Sequence, residues 1–152
     1  MLKGLDPLLV PDLLRVLAMM GHADEIVIAD ANFTAHALAA PGAPVIELPG
    51  AGLRAVVRAV VSLLPLDAAV AQPVAYMQVG DTPPGYRSAV QREVIGDLVE
   101  LGVASEAQCE ALERFAFYAR ARRAFAIVRT GEPQPFANVL LKKGVIADVL
   151  RP

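Results

Sequence analysis

His22, with Asp24 and Glu25 close behind it, has the residue types and spacing to move a proton. An imidazole beside carboxylates has its charged form favoured and can titrate near working pH, which is what a general acid or base needs. A solvated histidine in a turn fits the same spacing. Asp30 follows the apolar run Glu25 to Ala29 and opens Asp-Ala-Asn-Phe. The carboxyl ends of strands in open α/β sheets face the ligand crevice, so Asp30 reads either as a ligand-binding carboxylate or as a turn-forming cap. His36, in a small-residue loop, reads as non-catalytic. Arg114 begins Arg-Phe-Ala-Phe-Tyr, with Arg120, Arg122 and Arg123 beyond it. Phe115 and Tyr118 at helical spacing are expected in the core, and the late arginines suit the negative end of a helix. Arg114 itself has no local explanation. Asn138, after Pro135-Phe136-Ala137, could hydrogen-bond a ligand, whereas Lys142-Lys143 reads as a solvated pair or a contact with a neighbouring chain.

These residues need a scaffold, and the hydrophobic pattern supplies one. Apolar positions at spacings of three and four predict a helix from Pro11 to Met20, stopped at Gly21. Glu25 to Ala29 and Val45 to Leu48 read as strands, Leu53 to Leu64 as a helix, Val74 to Val79 as a strand and Tyr86 to Leu101 as a helix. A helix is predicted from Ser105 to Arg123, with Ser105 as cap. Ala124 to Arg129 and Asn138 to Leu141 are the last strands. Alternation of this kind predicts a three-layer α/β/α arrangement, a single domain over residues 1–152 around a mostly parallel central sheet.

Composition narrows the chemistry. With 14 basic and 16 acidic residues the net charge is -2, which offers no broad attraction to nucleic acid or anionic lipid. Pro, Gly or charge interrupts every apolar stretch before about 18 residues, so no membrane span is expected. Asp6, Pro7, Pro11 and Asp12 are unlike the start of a secretory signal, and the single Cys109 cannot form an intrachain disulfide. A cytoplasmic protein without a structural metal is the expectation. A 55% hydrophobic content is high for a soluble chain and predicts apolar surface buried between subunits. Gly50-Ala-Gly52 is too short a signal for a nucleotide site.

Three blocks, PDLLRVLAMMGHADEIVIADANFTAH (11 to 36), RFAFYARARRAFAIVRTGE (114 to 132) and NVLLKKGV (138 to 145), resemble the fucose mutarotase and ribose pyranase family, more closely its fucose branch. The resemblance implies interconversion of the anomers or ring forms of a free monosaccharide without cofactor or metal. It implies His22 as proton donor, and Asp30, Arg114, Phe136, Ala137 and Asn138 as sugar-binding residues. It also implies a homo-oligomer with sites near subunit interfaces. Two positions depart from the fucose pattern: Phe136-Ala137 stands where Tyr-Gly is typical, and Asn32 where a histidine is common. Phe33 and His36 keep the fucose-like frame. L-Fucose is the expected substrate; another aldose, a ribose pyranase activity, or a non-catalytic sugar-binding subunit are the alternatives. An extended Glu25 to Ala29 covers about 16 Å, so His22 and Asp30 of one chain meet at one sugar only if the His22 turn curls back. Otherwise two subunits must share each site.

Overall fold

The computed structural model describes residues 2–146. Among the described residues five α-helices, α1 (Pro11–Met19), α2 (Ala35–Leu38), α3 (Leu53–Val61), α4 (Ala89–Glu100) and α5 (Arg114–Ala121), alternate with six strands. The strands are β1 (Glu25–Ala29), β2 (Val45–Leu48), β3 (Val74–Met77), β4 (Cys109–Leu112), β5 (Ala126–Thr130) and β6 (Val139–Lys142). They join one sheet in the order β2-β5-β1-β6-β3-β4. β6 runs antiparallel between β1 and β3, and every other pairing is parallel.

Side-chain alternation along β1 builds both outer layers. Ile26 and Ile28 enter a core shared with α1, α3 and α4, while Val27 and Ala29 pack with residues of α2 and α5 on the other face. All four side chains are fully buried. Burying Ile26, Val27 or Ile28 stabilises the fold by roughly 1.5–3 kcal/mol each. A strand covered on both faces must be apolar throughout, which is why this segment was legible as a strand. The three-layer α/β/α arrangement around a mostly parallel sheet is therefore the observed one. Among the described residues no helix is long and apolar enough to cross a membrane.

The helix expected from Ser105 to Arg123 is three elements instead. Glu106–Gln108 is a single 3-10 turn, Cys109–Leu112 is β4, and α5 begins only at Arg114. Ser105 does form a capping box with Gln108, on the short turn. Cys-Glu-Ala-Leu has no strand-like composition, but its backbone pairs in register with Val74–Met77, and that distant partner overrides local helix propensity. Glu113 then restarts the helix by accepting from the amides of Phe115 and Ala116. The late start shifts the helical phase. Phe117 is the fully buried aromatic, while Phe115 is 64% exposed, against the sequence expectation. Tyr118 is half-buried, edge-on to Phe33.

Beyond the carboxyl end of β5 the chain turns tightly against the start of α3. Gly131 donates its amide to the Ala51 carbonyl, and the Glu132 carbonyl accepts from Ala31, next to Asp30. A Cβ at Gly131 would overlap the Pro49 carbonyl. Gly131→Ala should therefore destabilise by about 1–3 kcal/mol through overpacking. At about 2–4 °C per kcal/mol for a chain of this size, thermal denaturation should show a Tm lower by about 2–12 °C. An unchanged Tm would mean the turn is free to shift.

Candidate active site

The residues singled out in the sequence fall into two groups at opposite ends of β1. At its amino end, α1 stops, Ala23 adopts a left-handed conformation (φ 69°), and His22 projects from the turn with half of its side chain exposed. Its Nε2 lies 3.2 Å from Oδ2 of Asp67, a buried carboxylate that also accepts from the Ala69 amide at 3.0 Å. The Ala69 amide first, and then His22, hold the Asp67 carboxyl below the usual carboxylate range against the cost of burial. An ionised Asp67 can only accept, so Nε2 carries the hydrogen that points at it and Nδ1 is left to exchange a proton. The turn does not curl back towards the other end, because Asp67 donates its amide to the Lys142 carbonyl and Lys142 is paired with Glu25 at the start of β1.

At the carboxyl end, Asp30 and Asn138 grip one another. The Asp30 amide donates to Asn138 Oδ1 at 3.0 Å, and Asn138 Nδ2 donates to Asp30 Oδ2, also at 3.0 Å. Oδ1 of Asp30 accepts from the Asn32 amide at 2.9 Å. Asp30 is thus the turn cap that one reading expected, at the carboxyl end of β1. Burial pushes its carboxyl above the ordinary value, and the hydrogen bonds from Asn32 and Asn138 oppose that shift. Each carboxylate oxygen retains a lone pair for a hydroxyl.

Phe136 and Ala137 lead into this pair. Phe136 has φ 63°, an uncommon conformation for a bulky residue, and its carbonyl accepts from Nε2 of the buried Gln91 at 3.0 Å. The same nitrogen donates to the Met77 carbonyl at 2.7 Å, so Gln91 ties the strained turn to β3. The tip of the Phe136 ring packs against Gly80. Arg114 stands at the first position of α5, immediately beyond β4, with its guanidinium 4.7 Å from the centre of the Phe115 ring. Because β1, β3 and β4 are parallel and β6 is antiparallel, Asp30, Gly80, Arg114 and Asn138 share one end of the sheet. The break in the predicted helix is what gives Arg114 a place. A cleft of about 360 Å³ opens there, lined by Gln78, Val79, Gly80, Asp81, Glu113, Arg114 and Phe136, while Asp30 and Asn138 are buried and do not line it. Its volume lies within the range of small-molecule sites. A larger cleft of about 550 Å³, lined by Asp12, Arg15, Met19, Pro44, Ile46 and Phe125 among others, contains none of the singled-out residues.

Two polar residues at these positions escaped the sequence reading. Asp67 lies between Leu66 and Ala68 in the least distinctive part of the chain, and an acid alone among apolar residues was its only signal. Gln91, within the predicted helix Tyr86 to Leu101, carried no signal of its own, yet it is 1% exposed. Lys142 and Lys143 are not a solvated pair: Lys142 faces Glu25 at 3.4 Å, and Lys143 donates to main-chain carbonyls at the end of α1.

Comparison with known proteins agrees with this architecture. A Homo sapiens protein named fucose mutarotase is 43% identical over 148 residues, covering 96% of this chain and 95% of that one. The crystal structure of the fucose mutarotase in complex with L-fucose from Streptococcus pneumoniae superposes with a TM-score of 0.84 at 33% identity, covering 96% of this chain and all of the other. The structure of Bacillus subtilis RbsD complexed with D-ribose gives 0.68 at 27% identity, covering 96% and 99%. Residues 3–146 match the model of the RbsD / FucU transport protein family, and with that match over nearly its whole length the chain belongs to this family.

Proposed function

We propose that this protein is an L-fucose mutarotase, an isomerase that interconverts the anomers of a free monosaccharide by acid/base ring opening and closure without a cofactor. The observation that carries the enzymatic reading is the pair of His22 and Asp67, an imidazole open to solvent with an ionised carboxylate behind it. A protein that only binds sugar has no use for a titrating group oriented in this way. Opening the hemiacetal needs a proton delivered to the ring oxygen while another leaves the anomeric hydroxyl. Reclosure on the other face of the carbonyl reverses both transfers. Nδ1 of His22 is the atom suited to the first transfer. Asp30 and Asn138 would accept and donate to ring hydroxyls, and Arg114 would donate to sugar oxygens. L-Fucose is favoured over D-ribose by the higher TM-score and identity to the fucose-bound relative.

Each working site would draw on two copies of the chain. His22 and Asp30 lie beyond the two ends of a strand about 16 Å long, far more than one sugar ring spans. Exposed apolar side chains, Met19, Leu63, Val145 and Ile146, surround the His22 end. Such a surface suits an obligate contact with another subunit. The free Cys109 suits a reducing, cytoplasmic setting, and the whole chain would act as one domain.

Saturation-transfer NMR of anomeric protons over a panel of free aldoses tests the activity. Exchange accelerated for L-fucose supports it; binding without acceleration would leave only a sugar-binding subunit. A second substrate remains in play because Phe136 lacks the phenolic hydroxyl typical of the fucose branch. Phe136→Tyr should raise kcat/KM for L-fucose relative to other aldoses by about 3- to 30-fold, the value of one hydrogen bond that strengthens in the transition state. The NMR panel reads this directly, and equal changes for all sugars would remove Phe136 from the determinants of preference.

A further inference from the structure

We propose that Lys143, backed by Gly144, is a positioning residue that fixes the distance and angle between His22 and Asp67. It depends on the mutarotase reading only for its kinetic readout. Lys142–Gly144 runs between the two segments that carry the pair. On one side, the Lys143 carbonyl accepts from the Ala23 amide at 2.8 Å and the Lys143 amide donates to the Asp24 carbonyl at 2.9 Å, which brackets the turn bearing His22. That turn is closed by Asp24, whose Oδ2 accepts from the Gly21 amide at 2.7 Å. On the other side, Lys143 bridges Leu66, the Asp67 amide donates to the Lys142 carbonyl at 3.1 Å, and the Gly144 amide donates to Pro65 at 2.8 Å.

The side chain adds what the backbone ladder lacks. Nζ of Lys143 donates to the Leu17 carbonyl in the last turn of α1 at 3.0 Å and to the carbonyl of Met20, its C-cap. A helix end leaves its final carbonyls without intrahelical donors, and a cation there satisfies them and complements the negative end of the dipole. α1 carries no basic residue in its last turn, so Lys143 supplies this from across the fold. Gly144 is required because a Cβ there would overlap the Leu66 carbonyl and lie 2.8 Å from the Cα of Asp67, so the segment that carries Asp67 would have to shift. One dipeptide thus sets both partners.

Lys143→Met keeps the apolar stem and removes the donors. The expected result is a kcat for L-fucose about 10- to 100-fold lower with KM within about twofold, the loss typical of a displaced catalytic group. The ring nitrogen resonances of His22, one of only two histidines, should move away from their wild-type positions in the same variant. Unchanged kcat per folded chain would overturn the proposal, as would a lowered kcat with His22 resonances identical to wild type. If wild type fails to accelerate exchange, the mutarotase reading falls and the His22 resonances alone decide the role of Lys143. Should Lys143→Met not fold, Lys143→Leu, which also lacks a donor, is read against the same two outcomes.

Discussion

His22→Ala should slow enzyme-catalysed exchange of L-fucose anomers by about 10²- to 10⁴-fold, the usual contribution of one positioned acid or base. That corresponds to about 3–5 kcal/mol of barrier. L-Fucose binding should change by only a few fold, because the groups suited to hold hydroxyls, Asp30, Arg114 and Asn138, lie at the other end of the sheet. The measurement is saturation transfer between anomeric protons across a range of sugar concentrations, so that kcat and KM separate. The geometry makes the direction clear. Asp67 is ionised and buried, so it fixes the Nε2–H of the imidazole and leaves Nδ1 to give and take the proton. No other titrating side chain among the described residues contacts Asp67 closely enough to replace it. Retention of more than about a tenth of wild-type kcat would remove His22 from the chemistry.

Mixing two inactive variants should restore activity. On the proposed two-copy site, His22→Ala would lack the proton-transfer end and Asp30→Ala the hydroxyl-binding end, so neither variant alone would hold a complete site. If a site joins the His22 end of one copy to the Asp30 end of the next, a refolded 1:1 mixture contains complete sites at about a quarter of its interfaces by random assortment. Activity should therefore rise from near zero to about a quarter of the wild-type value per chain. A mixture as inactive as its components would show that each site is confined to one chain. The separation along β1 makes that second outcome hard to reconcile with a ligand the size of one monosaccharide. Size-exclusion chromatography of the same samples should show no fully active monomer.

Local pattern was a good guide where burial and backbone pairing agreed with it. Glu25–Ala29 and Val45–Leu48 have the boundaries expected from apolar runs, since a doubly covered strand leaves little room for polar residues. Around Cys109–Leu112 the same logic failed, because an edge strand of mixed composition carries no such mark and its partner is remote in sequence. Misplacing that strand hid the reason for Arg114, which needed a helix that starts where β4 stops. It also placed Phe115 in the core, when the shifted phase buries Phe117.

The sequence by itself determined the layered α/β class and, through resemblance, pointed to His22, Asp30, Arg114 and Asn138. Residue type and spacing carry that information because helices and buried strands impose their own periods. Only the tertiary structure decided which of those residues meet. Asp30 and Asn138 are far apart in the chain yet exchange two hydrogen bonds, because an antiparallel β6 returns beside β1. His22 and Asp30 are close in the chain yet stand at opposite ends of a strand, because an extended backbone separates what it connects. Asp67 joined His22 only through the ladder at Lys142 and Lys143, a contact that no local pattern encodes.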